Sequence, residues 1–308
     1  MATKCLSPAF SLCLALALAV SVCQPATSGA EKGRDITRAQ PMAFQRVDFD
    51  SLDTKGFFFR EPVRIRGYLR TARTGRKNPG AVLAPACNGL LEPNGTRIRP
   101  NYVRMARILQ HLGITVLLVD GFTPRGFEEI CTQPGKMRTI DTEARIKDSL
   151  GGLEYLRSRG DVMPDRIFLV TWGAAGGLQS INKASPYYEE AGAGFAAAVM
   201  FYPRCENVDR QFSPYAPIQM YVGEEDTWNP PEPCLDLAKR REPGSASFEV
   251  KIYPKAYHGF DHLRPPSLRT DAVVGPVMIG GTPSPGRMLT RERRHSCRAS
   301  LMPEPRRA

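Results

Sequence analysis

Three places along the chain hold residues that together could carry out hydrolysis. A strand-like apolar run over residues 166–171 is followed by Trp172 and Gly173 in a turn of small residues. Asp226 follows a later run of the same kind, and His258 follows the run after that. A nucleophile turn, then an acid, then a histidine is one chain order in which catalytic triads for acyl transfer occur. In such a triad the histidine is the base and the acid orients it.

The turn lacks the side chain that this chemistry needs most. Its central position should hold Ser or Cys, but Gly173 occupies it, and no Ser or Cys occurs elsewhere in the turn. A covalent acyl-enzyme therefore cannot form there. Two catalytic routes remain: His258, oriented by Asp226, could activate water directly, or Cys205 could attack from the end of another strand. The turn can also be interpreted as a plain strand-to-helix connection, or as a phosphate loop without the usual Lys and Ser/Thr.

The elements that must position these residues follow from short apolar runs that alternate with helical patterns. Strands are expected at residues 80–84, 114–119, 166–171, 196–202, 218–222 and 248–253, and helices at 102–112 and 142–157. Residues 44–69 predict an antiparallel entry to the sheet. The alternation predicts one α/β domain with a mostly parallel central sheet and helices on both faces. Function in such sheets gathers at the carboxyl ends of the strands, where Gly173, Asp226 and His258 are expected.

Six segments in this order resemble the dienelactone hydrolase family, in particular its exported members. They are Pro85-Ala86-Cys87-Asn88-Gly89-Leu90, Val119-Asp120-Gly121-Phe122-Thr123-Pro124-Arg125-Gly126, Pro164-Asp165-Arg166-Ile167, Phe201-Tyr202-Pro203-Arg204-Cys205, Asp226-Thr227-Trp228 with Pro233-Cys234, and Tyr257-His258-Gly259-Phe260-Asp261. The resemblance implies an α/β-hydrolase fold, action on carboxylic esters or lactones, and no cofactor or metal. It also implies that Asp226 and His258 are the acid and base, and that the amides of Cys87 and Ala174 form the oxyanion hole.

The chain departs from the family pattern at the turn and at the oxyanion loop. The three fixed positions Gly-x-Ser/Cys-x-Gly are Thr171, Gly173 and Ala175, and Pro85-Ala86 replaces the usual His-Gly pair. A stretch rich in proline and arginine replaces the usual C-terminal helix. These departures predict either a weak or impaired hydrolase or a catalytically inactive binding protein on the same fold.

Aromatic residues at or after strand ends could line a pocket for an apolar or aromatic small molecule, or could pack in the core. They are Phe122, Trp172, Tyr202, Trp228 and Tyr257. The sequence predicts such a ligand as the partner, and it does not predict a specific nucleic acid.

The first thirty residues have the layout of a secretory signal peptide, with Lys4 as the only charge and an apolar run over residues 10–22. Cleavage is expected near Ala30, and the protein is expected to be secreted or periplasmic. No apolar run reaches the ~18 residues that a membrane span needs. Cys5, Cys13 and Cys23 would leave with the signal peptide.

Five cysteines would then remain in an oxidising compartment, where thiols within reach of each other pair. Cys205 and Cys234 both follow strands at the same end of the sheet and are expected to form a disulfide. Cys87 and Cys131 are the other expected pair, and Cys297 is left over. No cysteine spacing matches a zinc site.

Nearly half of the net charge of +11 lies near the end of the chain, and the rest is spread thinly over the body. The last 23 residues hold seven arginines and only two glutamates. A charge run of this kind is more often a solvated end than a nucleic-acid site. The chain is therefore divided into a signal peptide at 1–30, a hydrolase-like domain at 31–285 and a basic tail at 286–308. Ordinary apolar and charged content (42% and 24%) excludes wholesale disorder.

Overall fold

The expected strands form one eight-stranded sheet in a computed structural model of the protein. The structure describes residues 42–55, 61–93, 95–133, 138–173, 176–190, 194–206, 208, 212–271 and 274–281. Within these residues the sheet consists of β1 (Gln45–Lys55), β2 (Glu61–Arg70), β3 (Asn78–Ala84), β4 (Thr115–Asp120), β5 (Val162–Trp172), β6 (Ala197–Phe201), β7 (Ile218–Gly223) and β8 (Phe248–Tyr253). The α-helices are α1 (Pro100–His111), α2 (Thr142–Arg157), α3 (Gly177–Ile181), α4 (Tyr187–Glu190) and α5 (Pro231–Lys239).

The strand order is β1-β2-β4-β3-β5-β6-β7-β8. The β1 and β2 strands pair antiparallel, and β2 pairs antiparallel with β4, which confirms the predicted antiparallel entry. All other neighbours in the sheet are parallel. Parallel neighbours bring the carboxyl ends of β3, β5, β6, β7 and β8 to one edge of the sheet.

Both faces of the sheet are covered by helices, as the unbroken apolar run of β4 predicts. Val116 and Leu118 belong to the apolar cluster that includes residues of α1. Leu117 and Val119 alternate with them and belong to the cluster that includes residues of α2. The α/β-hydrolase architecture predicted from the sequence is therefore confirmed, with a core layer on each side of the sheet.

The α2 helix begins with a side-chain cap and contains a glycine where it approaches β1 closely. Asp141 caps the helix by accepting a hydrogen bond from the amide of Ala144 at 2.9 Å. A Cβ on Gly151 would lie 2.4 Å from the main-chain oxygen of Asp50, so no larger residue fits there without a shift of the backbone.

The segment after His262, which shows no regular pattern in the sequence, forms a hairpin of β9 (Ser267–Asp271) and β10 (Gly275–Ile279). The carbonyl of His258 accepts a hydrogen bond from Gly280 at 2.9 Å, which joins the hairpin to the loop after β8. The predicted signal peptide, the basic tail and Cys297 lie outside the described residues. Among the helices of the described ranges, none is long and apolar enough to cross a bilayer.

Candidate active site

Gly173, the predicted nucleophile position, has a positive φ, as the strained turn of a nucleophile elbow would require. Gly173 follows the strand directly with φ +60°, a conformation that side chains other than glycine adopt only under strain. Its amide donates to the carbonyl of Phe201 at 2.9 Å. A Cβ built on Gly173 would lie 3.6 Å from the Cβ of Ala86, which is ordinary contact, so a small side chain has room. Ala174 and Ala175 lie outside the described residues, and the oxyanion role of the Ala174 amide stays a prediction.

Asp226 and His258 form a buried hydrogen-bonded pair at the same edge of the sheet. The Oδ2 atom of Asp226 lies 2.8 Å from Nδ1 of His258. Its Oδ1 atom accepts from the amides of Trp228 at 2.9 Å and Asn229 at 2.8 Å, which fixes the carboxylate. Because an ionised carboxylate only accepts hydrogen bonds, it places the imidazole proton on Nδ1 and leaves Nε2 as the basic nitrogen.

Two aromatic rings enclose the imidazole. The ring centroid of Tyr202 lies 4.4 Å from that of His258, and the centroid of Trp228 lies 4.8 Å from it. Tyr202 has φ +40°, an uncommon value for a bulky residue. The two rings restrict the imidazole to the orientation in which it faces Asp226.

The 85–88 turn after β3 is held by buried side chains from α1 and α2. The amide of Ala86 donates to Tyr102 Oη at 3.0 Å, and this hydroxyl lies 3.1 Å from Asn88 Oδ1. Burial raises the pKa of Tyr102, so its hydroxyl keeps the proton that it donates to Asn88. Arg145 Nη2 donates to the carbonyl of Pro85 at 2.8 Å, and burial lowers the pKa of this guanidinium to about 10.

Cys87, the predicted oxyanion residue, is the point where this turn is linked covalently to the loop after β4. Cys87 and Cys131 form a disulfide, and the amide of Ile130 donates to the carbonyl of Cys87 at 2.8 Å. Among the hydrogen bonds between described residues, none uses the amide of Cys87. The second predicted disulfide, Cys205–Cys234, is also present and buried. Both pairings expected from the sequence are confirmed, and Cys205 is no longer a free nucleophile.

A cavity of about 500 Å³ opens over these groups. Its wall includes Ala86, Cys87, Tyr202, Trp228 and His258, so His258 and the 85–88 turn share one space. The rest of the wall includes charged and hairpin residues, among them Glu92, Arg99, Glu129, His262, Arg264, Arg269, Val277 and Ile279. The described residues contain no group of three His, Cys, Asp or Glu side chains placed to hold a metal ion.

The five aromatic residues expected around the pocket occupy different environments. Tyr202 and Trp228 line the cavity. Trp172 is fully buried and stacks on Phe201 with ring centroids 5.4 Å apart, because β5 directs it into the core. Phe122 belongs to a separate buried cluster under the loop after β4, and Tyr257 is half-buried outside the cavity wall. Only the first two of the five residues are therefore placed to touch a ligand.

Three residues of the site were not singled out as site residues from the sequence. Asn229 donates to Asp226 and, through Nδ2, to the carbonyl of Tyr202 at 2.8 Å. Asp261 is buried three residues after His258, and His262 lies in the cavity wall. Asn229 and Asp261 lie close in the chain to Asp226 and His258, but that nearness does not reveal which partners their side chains meet.

His262, the second histidine in the cavity wall, predicts that the stability of the protein depends on pH. Burial lowers the pKa of His262 from its ordinary value of 6.5. A histidine held neutral in the fold stabilises it above its unfolded pKa, and this contribution is lost as pH falls through the folded value. The free energy of unfolding should therefore fall between pH 7 and pH 5, and fall less in His262→Gln. Urea titrations at both pH values measure this, with His111→Gln as a control at an exposed position. Equal losses in wild type and His262→Gln would contradict the expectation.

The sheet, the turn after β5 and the ordered aspartate and histidine define an α/β-hydrolase. A model of the dienelactone hydrolase family matches residues 65–273, more than half of the chain, and the chain belongs to that family. A curated relative from Bradyrhizobium sp., described as a probable 2-oxo-3-(5-oxofuran-2-ylidene)propanoate lactonase, is 25% identical over 210 residues, which are 65% of this chain and 81% of the relative.

Solved structures show the same fold at low sequence identity. A dienelactone hydrolase from Anabaena variabilis matches with a TM-score of 0.50 and 19% identity, over 73% of this chain and 91% of that protein. Esterase 2 from Thermogutta terrifontis matches with a TM-score of 0.54 and 14% identity, over 85% of this chain and 97% of the esterase.

Proposed function

We propose that the protein is a weak hydrolase of carboxylic esters or lactones in which His258 activates a water molecule. The observation that carries this proposal is the 2.8 Å contact between Asp226 and Nδ1 of His258 in the cavity wall, which leaves Nε2 as the base. Gly173 offers no atom for covalent catalysis, so the acyl group would pass directly to water. The Cys87 amide is one donor that could stabilise the oxyanion formed in this step.

The charges of the cavity support a lactone or ester that also bears an anionic group. Arg99, Arg264 and Arg269 stand in its wall with Glu92 and Glu129. The lactonase relative is named for a lactone that carries a carboxylate, which is consistent with such a cationic wall. Tyr202 and Trp228 would then contact the apolar or aromatic part of the substrate.

A second candidate function is ligand binding without catalysis. Two changes at one site favour it: Gly173 replaces the nucleophile, and Pro85-Ala86 replaces the usual opening of the oxyanion loop. The amide of Ala86 is engaged by Tyr102, so it is not free to bind an oxyanion.

Export from the cytoplasm belongs to the same proposal. Two disulfides in the described domain are compatible with an oxidising compartment, where such bonds persist. The signal-peptide layout of residues 1–30 is the sequence feature that supports this.

A panel of short-chain aryl esters and lactones distinguishes the two functions. The wild-type protein should hydrolyse at least one of them above the buffer rate. His258→Ala should lower that rate by about 10²-fold, the lower end of what a general base contributes. His111→Ala, at an exposed position on α1, is the matched control and should retain the wild-type rate. Equal rates in wild type and His258→Ala, with a lactone that still binds by calorimetry, would favour the binding protein.

A further inference from the structure

Asp261 is a buried carboxylate that takes no direct part in the Asp226–His258 pair. Its side chain has 0% relative exposure and lies between two aromatic donors. Oδ2 accepts from Trp172 Nε1 at 2.9 Å, and Oδ1 accepts from Tyr202 Oη at 2.8 Å. Its main-chain carbonyl accepts from Arg104. A carboxylate without water is retained in a core only where such donors satisfy it.

The candidate site has two halves, the turn after β5 and the histidine, and one aromatic donor lies beside each. Trp172 is the last residue of β5 and directly precedes Gly173, so a hydrogen bond to its indole acts beside the turn. The ring of Tyr202 packs on His258, while its amide donates to Tyr221 at 2.7 Å. A carboxylate bonded to both aromatic residues therefore links the turn after β5 to the histidine.

The backbone of Tyr202 needs this support. A non-glycine residue in the left-handed region costs on the order of 1–3 kcal/mol and persists only where its surroundings hold it. Here Asn229 bonds the carbonyl of Tyr202, Tyr221 accepts from its amide, and Asp261 accepts from its hydroxyl. Of these three hydrogen bonds, the one to Asp261 acts on the side chain of Tyr202, whose ring packs on His258.

We propose that Asp261 is a positioning residue: its carboxylate holds Tyr202 against the imidazole of His258 and anchors Trp172 at the start of the Gly173 turn. Asp261 acts on the imidazole through Tyr202, and the inference rests on the proposed role of His258. An asparagine at this position has one oxygen and one NH₂ group in place of the two carboxylate oxygens. Because Trp172 Nε1 can only donate, the NH₂ group would face Tyr202 Oη, and the charge-assisted bond from that hydroxyl would be replaced by a weaker neutral one. The half of the site that contains Tyr202 would then lose its bond to a carboxylate.

Proton NMR of the wild-type chain tests this without any activity measurement. The Nδ1 proton between His258 and Asp226 should give a resonance far downfield of the amides, assigned by its loss in His258→Ala. In Asp261→Asn and in Tyr202→Phe this resonance should broaden or disappear through exchange with solvent. Asp120→Asn, which removes a different buried carboxylate at the end of β4, is the matched control and should retain it.

The activity of the same variants in a Gly173→Ser chain gives a second readout. Both Asp261→Asn and Tyr202→Phe should lower kcat by about 10- to 100-fold with KM little changed, because a small misplacement of a catalytic group costs that much. Should Asp261→Asn not fold, Tyr202→Phe carries the test, since it removes only one hydroxyl. A wild-type resonance and kcat in Tyr202→Phe would overturn the inference. Absence of the resonance from the wild type itself would instead overturn the proposed function, and the inference with it.

Discussion

The Gly173→Ser variant is expected to hydrolyse p-nitrophenyl acetate at least about 10³-fold faster than the wild-type chain. Loss of the serine alone in a serine hydrolase lowers kcat by a factor on the order of 10⁶. Adding a serine to a site whose other parts are intact can therefore raise kcat by up to the same factor. The backbone at Gly173 already has φ +60°, and a Cβ there would lie 3.6 Å from Ala86. The ordered pair of Asp226 and His258 provides the base that the new hydroxyl needs. Initial rates with purified enzyme measure the gain.

The Gly173→Ala variant is the matched control for this experiment. It adds the same Cβ at the same positive φ, with the same backbone strain of about 1–2 kcal/mol, but it adds no nucleophile. It should therefore match Gly173→Ser in thermal stability and show no gain in rate. Adding His258→Ala to Gly173→Ser should remove the gain. A folded Gly173→Ser protein without any gain would mean that the oxyanion hole or the base is also incomplete, which favours the binding protein.

The central strands of the sheet could be predicted from sequence because they are largely buried on both faces. Such strands appear in the sequence as unbroken apolar runs. The α2 helix was predictable from its helical spacing of apolar residues, and its expected bounds, residues 142–157, are those in the structure. The β9–β10 hairpin could not be predicted in the same way. Ser267–Asp271 is a mostly polar strand with one exposed leucine, so neither an apolar run nor an alternation marks it.

The site was predictable only where position in the fold determines function. Asp226 and His258 follow strands of a parallel sheet, and their order in the chain is the basis of the acid and base roles proposed for them. The partners of Asp261 come from Trp172, 89 positions away, and Tyr202, 59 positions away, so no local pattern encodes them. The burial of Trp172 could not be predicted either, since the ring of a residue at a strand end can point into the core or into the cavity.

Removal of either disulfide should destabilise the protein by a similar amount, but only one of them should affect the site. Cys87–Cys131 spans 44 positions and Cys205–Cys234 spans 29. In the chain-entropy account, loops of these lengths each contribute about 3.5–4 kcal/mol, and the difference between them is small. The double variants Cys87→Ala/Cys131→Ala and Cys205→Ala/Cys234→Ala should therefore both melt on the order of 10 °C below wild type. Urea and thermal unfolding measure these losses.

Because the two double variants should lose similar stability, Cys205→Ala/Cys234→Ala is the control for Cys87→Ala/Cys131→Ala. Both are compared in the Gly173→Ser chain, well below their melting temperatures. Cys87→Ala/Cys131→Ala retains the Cys87 amide but removes the covalent link between the 85–88 turn and the loop after β4. Hydrogen bonds, among them those with Tyr102, Arg145, Ile130 and Arg99, then hold the turn. Because loss of one oxyanion donor costs 10²–10³ in kcat, a loosened donor should cost about tenfold or more. Cys205→Ala/Cys234→Ala should retain kcat. Equal kcat in the two variants would show that hydrogen bonds alone hold the 85–88 turn in place. The Cys87–Cys131 disulfide would then stabilise the fold without affecting the site.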